Sequence, residues 1–154
     1  LPLMQVLNPN VRIVPVGISA QAGADEVGRA VGRVLNERFG EASVLGSTDL
    51  THYGPQYGFT PGGAGRAGLE WAAENDRRIL QLIEEMKAGQ IVDEAARRQN
   101  ACGGGAVAAT IAAAEALGAR RGVCLEYTTS AEVLQQTYAT AAEDAVGYAS
   151  VVFA

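Results

Sequence analysis

Asp49 and His52 stand three residues apart in Ser47-Thr48-Asp49-Leu50-Thr51-His52-Tyr53, and His52 is the only histidine in the chain. A carboxylate and an imidazole at this spacing can turn to the same side of one helical turn or tight loop. Such a pair can ligate a metal or move a proton. Ser47, Thr48 and Thr51 surround it with hydroxyls able to fix a histidine tautomer. The plainer alternative is that Asp49 caps the following turn and backbone groups satisfy His52. Cys102 is the other candidate, because it precedes Gly103-Gly104-Gly105 and an apolar helical run. A helix start favours a thiolate through its dipole and its free N–H groups. Three glycines cost backbone entropy and point to something approaching the main chain closely. The alternative there is an ordinary helix-start turn with a small buried cysteine. Cys124 falls inside an apolar strand and is expected in the core.

The inventory of ligands limits what these residues can build. A catalytic zinc site uses about three protein ligands, and a non-haem iron facial triad uses two histidines and a carboxylate. Asp49, His52 and Cys102 supply three mixed ligands at most, so a two-histidine site needs a histidine from outside this chain. The same three residue types also match a Cys-His-Asp hydrolase triad. Gly103-Gly105 alternatively offers N–H groups to a small anion or a peptide. Gly63-Ala64-Gly65-Arg66-Ala67-Gly68 has the letters of a dinucleotide fingerprint. It follows Thr60-Pro61-Gly62 rather than a strand, and no strand-ending acid stands about twenty residues on, so that reading is rejected. Gly103-Gly105 is not a P-loop, since no Gly-Lys-Ser/Thr follows.

The elements that must position these residues alternate in type. Val11–Ile18 has strand character, with Pro15 confining it to an edge or a bulge. Ala24–Phe39 is predicted as a helix, acidic in its first turn and stopped by Gly40. Val27, Val31, Val34 and Leu35 form its expected buried stripe, and Gly28 and Gly32 a smooth face against a sheet. Ser43–Gly46 is a second expected strand, leading directly into Asp49 and His52. Gly54–Gly68 is a Gly/Pro-rich loop. Leu69–Lys87, Ile91–Gln99 and Ala106–Leu117 are predicted helices, the first burying Ile79, Leu82, Ile83 and Met86 and the last ended by Gly118. Val123–Thr128 and Val146–Phe153 are predicted strands, the second nearly continuous in apolar residues and so expected at the sheet centre. The order implies an α/β fold in which a mixed sheet is flanked by helices, with function at strand ends.

The 154 residues fit one domain, 1–154, with a real core. A net charge of −5 argues against binding nucleic acid or anionic membranes. The pairs Arg77-Arg78, Arg97-Arg98 and Arg120-Arg121 are expected on solvated helix faces or ends. No apolar run approaches the roughly 18 residues of a membrane span, and no targeting segment is evident. Two cysteines make no disulfide framework, and a reducing, cytoplasmic setting is expected. The chain opens on Leu1-Pro2-Leu3-Met4, and we expect it to be part of a longer protein.

Ser47–Tyr53 resembles the Ser-Ser-Asp-Leu-Ser-His-Tyr type of signature of the Memo-like family, whose bacterial and archaeal members are often labelled AmmeMemoRadiSam system protein B. Four further pieces follow the family's order: Ile-Val-Pro-Val at 13–16, Cys-Gly at 102–103, Leu-Glu-Tyr-Thr-Thr-Ser at 125–130 and Val-Gly-Tyr-Ala-Ser at 146–150. The resemblance implies a fold similar to class III extradiol dioxygenases, which are non-haem iron enzymes. It implies a pocket at Asp49, His52 and Cys102, with His52 and Cys102 as ligands or near-ligands of iron or copper, Asp49 orienting His52 or acting as a base, and Tyr53 lining the pocket. A metal-dependent oxidoreductase follows if that metal activates oxygen. Phosphopeptide binding in a eukaryotic member keeps open a non-catalytic module for a peptide or small ligand. Further family histidines lie upstream of the Leu-Pro that opens this chain. The resemblance therefore implies the C-terminal portion of a Memo-like domain, whose missing N-terminal portion is a partner and whose sheet has an exposed edge.

Overall fold

A helix made almost entirely of Gly, Ala and Val cannot present one polar face, and α5 (Gly104–Ala116) is accordingly buried along most of its length. It organises the computed structural model, which describes residues 2–40 and 42–154. Before it come α1 (Pro2–Leu7), α2 (Ala24–Arg38), the short β1 (His52–Tyr53), a 3-10 turn at Pro55–Tyr57, α3 (Gly65–Glu84) and α4 (Ala88–Arg98). After it come β2 (Gly122–Thr129), α6 (Ser130–Tyr138) and β3 (Ala145–Phe153). Helices α2 and α4 pack directly on α5. The core joins Ile79, Leu80 and Ile83 of α3 and Ile91 of α4 to Val107 and Ile111 of α5. Ile79, Ile91 and Ile111 are fully buried. Each such side chain contributes about 1.5–3 kcal/mol over leaving it in water.

Strand β3 lies between β1 and β2 and pairs antiparallel with both. The central position expected for Val146–Phe153 is therefore observed. Its register runs from Gly122 opposite Phe153 to Thr129 opposite Gly147, with an irregularity between Cys124 and Glu126. The predicted helices occur with shifted ends, and α1 and α6 are additional. A capping box starts α6: the Glu132 N–H donates to Thr129 Oγ1, and the Thr129 N–H donates to Glu132 Oε2. That Thr-x-x-Glu spacing was present in the sequence as a start signal.

Four expectations are corrected. The paired strands form a small antiparallel sheet, not a mixed one. Val11–Ile18 and Ser43–Gly46 form no paired strand among the described residues, because no strand lies beside them to complete a ladder. On α2 the buried face is the one carrying Gly28 and Gly32, whereas Val27, Val31 and Val34 are exposed. The reason is close approach: a Cβ at Gly28 would overlap the main chain of Ala109, and one at Gly32 would lie 2.6 Å from the Ala113 carbonyl oxygen. The smooth face thus meets a helix, α5, instead of a sheet. Cys124, expected in the core, is half-buried at its edge and its thiol donates to the Glu126 carbonyl. Among the described residues no helix is long and apolar enough to cross a membrane.

Candidate metal centre

The segment 48–53 is clamped between β3 and the start of α5. The Leu50 N–H donates to the Gly147 carbonyl and the Gly147 N–H to the Thr51 carbonyl, at 3.0 and 3.1 Å. On the other side the Cys102 N–H donates to the Asp49 carbonyl. The Asp49 N–H in turn points at Cys102 Sγ, 3.4 Å away. Thr48 joins the two segments: its hydroxyl donates to the Asp49 carbonyl and accepts from the Gly103 N–H at 2.8 Å. A Cβ at Gly103 would crowd Ser47 and Thr48, so the glycine permits this approach. Residues 53 apart in sequence are thereby held side by side.

A regular strand would send residues three apart to opposite faces. The chain is irregular until His52, and Asp49 Oδ2 comes 3.5 Å from His52 Nε2. That separation lacks the alignment of a hydrogen bond, and His52 Nε2 is a buried atom with no hydrogen-bond partner. Asn75 and Asn100 each bury an unpartnered side-chain oxygen as well, but neither belongs to a group of three or more His, Cys, Asp or Glu side chains placed to share a metal. Asp49, His52 and Cys102 do: each offers a ligand atom within 4.8 Å of the others, the one such group among the described residues. All three sequence-predicted site residues therefore converge. Cys102 is exposed and Asp49 and His52 are half-buried, so the cluster opens to solvent.

Behind His52 lies a buried polar scaffold that sequence reasoning missed. Asp76 of α3 accepts from the Thr51 N–H at 2.8 Å and from the Tyr127 hydroxyl at 2.8 Å. Burial raises the Asp76 carboxyl above its ordinary value, opposed by these hydrogen bonds and by His52. Burial and the Asp76 charge push the Tyr127 hydroxyl up. Asn75 Nδ2 donates to Thr51 Oγ1 and to the Arg98 carbonyl, and Asn100 Nδ2 to the Asn75 carbonyl. A Cβ at Gly147 would overlap Asp76 Oδ2, so β3 passes the scaffold only as glycine. The signal for this scaffold was an Asn-Asp pair on the apolar side of a predicted helix, beside Leu80 and Ile79.

Tyr53 does not line the cluster. It is buried, its hydroxyl donates to the Gly63 carbonyl at 2.6 Å, and its ring packs with Phe59 and Trp71. Tyr57 takes the outer position instead, its ring centroid 5.1 Å from that of His52. Tyr148 of β3 is a second exposed phenol on this side, its hydroxyl raised by burial and by the charge of Asp49. Neither was singled out in the sequence.

An α/β chain with an Asp-His-Cys cluster at the junction of a strand and a helix start is the class of protein this geometry defines. The family model described as "Memo-like protein" matches residues 1–152, and the chain belongs to that family. It is 34% identical over 165 residues to a MEMO1 family protein of Thermococcus onnurineus, covering 99% of this chain and 54% of the relative. It is 37% identical over 136 residues to a MEMO1 family protein of Methanothermobacter thermautotrophicus, covering 86% and 44%. A MEMO1 family protein of Methanopyrus kandleri is 35% identical over 159 residues, with 99% and 49% covered. The chain thus spans about half the length of the curated relatives it matches.

Proposed function

We propose that this chain carries one side of a redox-metal pocket in which the His52 ring and Cys102 Sγ hold iron or copper, with Asp49 beside them as a further ligand or a base. The observation that carries this reading is the buried, unpartnered His52 Nε2 within a three-residue ligand cluster. Leaving such an atom unsatisfied costs about 1–3 kcal/mol, which coordination recovers. The donor set fits: imidazole suits iron and copper, and a thiolate favours Cu(I). The Asp49 N–H directed at Cys102 Sγ holds the sulfur beside the Asp49–His52 pair. When bound, such a metal supplies a redox centre for oxygen-dependent oxidation. The chain's own residues orient it: Thr48 holds the Cys102 turn, and Asp76 fixes the main chain at Thr51, next to His52. The family's likeness to class III extradiol dioxygenases supports the oxidoreductive use. In this reading the two-histidine set is completed by residues of a longer Memo-type polypeptide.

The anion-binding alternative finds less support. The Gly103 N–H is taken by Thr48, and Gly104 and Gly105 are buried against Ala95 and Ser19. Anaerobic titration with Co(II), a spectroscopic stand-in for Fe(II), tests the metal reading. Thiolate-to-cobalt charge transfer is expected, lost in Cys102→Ser and weakened at least about tenfold in His52→Ala. Identical titrations for all three proteins would remove the ligand assignment.

A further inference from the structure

Among the described residues, no hydrogen bond holds the ring of His52. Its Nε2 is buried and unpartnered, and Asp49 Oδ2 stands 3.5 Å away without hydrogen-bond alignment. A metal-ligating histidine ordinarily donates its other ring N–H to a carboxylate, a carbonyl or water, which fixes the plane of the ring. The last torsion of a histidine side chain is broad, so a ring without such a partner can swing its nitrogens away from the ligand position. Something else must hold this imidazole if it is to serve as a ligand.

The group that touches the ring is Tyr57. The two ring centroids are 5.1 Å apart and the planes tilted by 48°, which is aromatic packing, and Tyr57 is the one aromatic neighbour of His52 among the described residues. Tyr57 lies five residues beyond His52, and the chain between them folds it back. Gly54 and Phe59 exchange main-chain hydrogen bonds at 2.9 and 3.3 Å. Inside that loop the Tyr57 N–H donates to the Gly54 carbonyl and the Gly58 N–H to the Pro55 carbonyl, closing the 3-10 turn. The turn is fastened to the residue before β3: the Gln56 N–H donates to Asp144 Oδ1 at 2.8 Å. Gly54, at φ +120°, passes so near that a Cβ there would overlap the same Asp144 oxygen. No residue of the turn is buried, and Tyr57 is 41% exposed, so burial in the core does not account for this bracing.

We propose that Tyr57 is a positioning residue for His52. Its ring replaces the usual hydrogen-bonded partner and fixes the imidazole plane, so that Nε2 faces Asp49 and Cys102. Asp144 acts one step further out, by holding the turn through the Gln56 N–H. The packing uses the ring and not the hydroxyl, so phenylalanine serves equally well. The role rests on the reading of His52 as a ligand, whereas the order of its ring is a property of the metal-free chain.

Because His52 is the only histidine, selective ¹³C labelling gives one signal for each imidazole carbon. Carbon relaxation in the metal-free chain reads the fast motion of the ring. An ordered ring is expected in the parent, in Tyr57→Phe and in Asp144→Asn, whose amide oxygen still accepts the Gln56 N–H. Tyr57→Ala should lose ring order, and Asp144→Ala, which frees the turn but keeps the phenol, should lose less. In the anaerobic Co(II) titration Tyr57→Ala should bind at least about tenfold more weakly, with parent affinity restored in Tyr57→Phe. Urea unfolding checks that each variant keeps the fold. A mobile ring in the parent, an equally ordered ring in Tyr57→Ala, or a Tyr57→Phe protein that behaves like Tyr57→Ala each overturns the proposal. Ring order lost in Tyr57→Ala, with Co(II) binding untouched by His52→Ala and Cys102→Ser, upholds the positioning of the ring and removes only the metal reading.

Discussion

Gly28→Ala on α2 is the sharpest test of how the helices pack, because the two available arguments give opposite signs. Helix propensity alone rewards the change by about 0.8–1 kcal/mol. The structure places the new Cβ against the carbonyl oxygen, carbonyl carbon and Cα of Ala109, all main-chain atoms that no rotamer change can move. Helix α2 must therefore lift away from α5 and give up part of its buried face. Overpacking of this kind costs about 1–3 kcal/mol, and a contact made wholly to backbone belongs at the upper end. After the propensity gain, a net loss of about 1–2 kcal/mol remains, or roughly 2–8 °C in Tm for a chain of this size. Gly89→Ala supplies the control: it lies in α4 with nothing within 4 Å of its Cβ position. There propensity acts alone and about 0.8–1 kcal/mol of added stability is expected. Urea unfolding of the three proteins, with m-values compared, measures both effects. A Gly28→Ala protein as stable as the parent would refute the close packing of α2 on α5. A companion Val31→Ala is expected to change stability far less than the 2–5 kcal/mol of a buried aliphatic truncation, since Val31 is exposed.

Two other expectations follow from the scaffold and the cap. The raised Asp76 carboxyl binds its proton more tightly in the folded chain than in the unfolded one. Its contribution is therefore fully present below the unfolded value and is lost as pH rises through the folded value. Asp76→Asn should flatten that part of the stability–pH profile, and superimposable slopes in urea titrations across mildly acidic pH would contradict the assignment. Thr129→Ala removes the hydroxyl that accepts the Glu132 N–H and should cost about 1 kcal/mol by thermal unfolding, whereas Thr129→Ser should lose much less.

Much of the site was legible because its chemistry resides in residue types. One histidine, one neighbouring acid and one glycine-flanked cysteine left few other candidates. The scaffold behind them was not legible. Asp76 and Tyr127 look unremarkable in sequence, Thr51 stands out there only as a hydroxyl near His52, and the three acquire their scaffold roles only when separate parts of the chain meet. Tyr53 shows the same limit in reverse: it neighbours His52 in the chain yet turns into the aromatic cluster of Phe59 and Trp71.

The sequence by itself determined where α2, α3, α4 and α5 form, though not α1 or α6, since apolar runs and glycine stops act locally. It also determined the apolar character of β2 and β3 and the identity of the three candidate ligands. Tertiary structure decided the rest. It chose the glycine face of α2 over its valine stripe, because close helix contact needs the absence of a Cβ. It left Val11–Ile18 and Ser43–Gly46 unpaired, because a strand exists only beside another strand. It brought Cys102 to Asp49 through hydrogen bonds between residues 53 apart, a juxtaposition that no local pattern encodes.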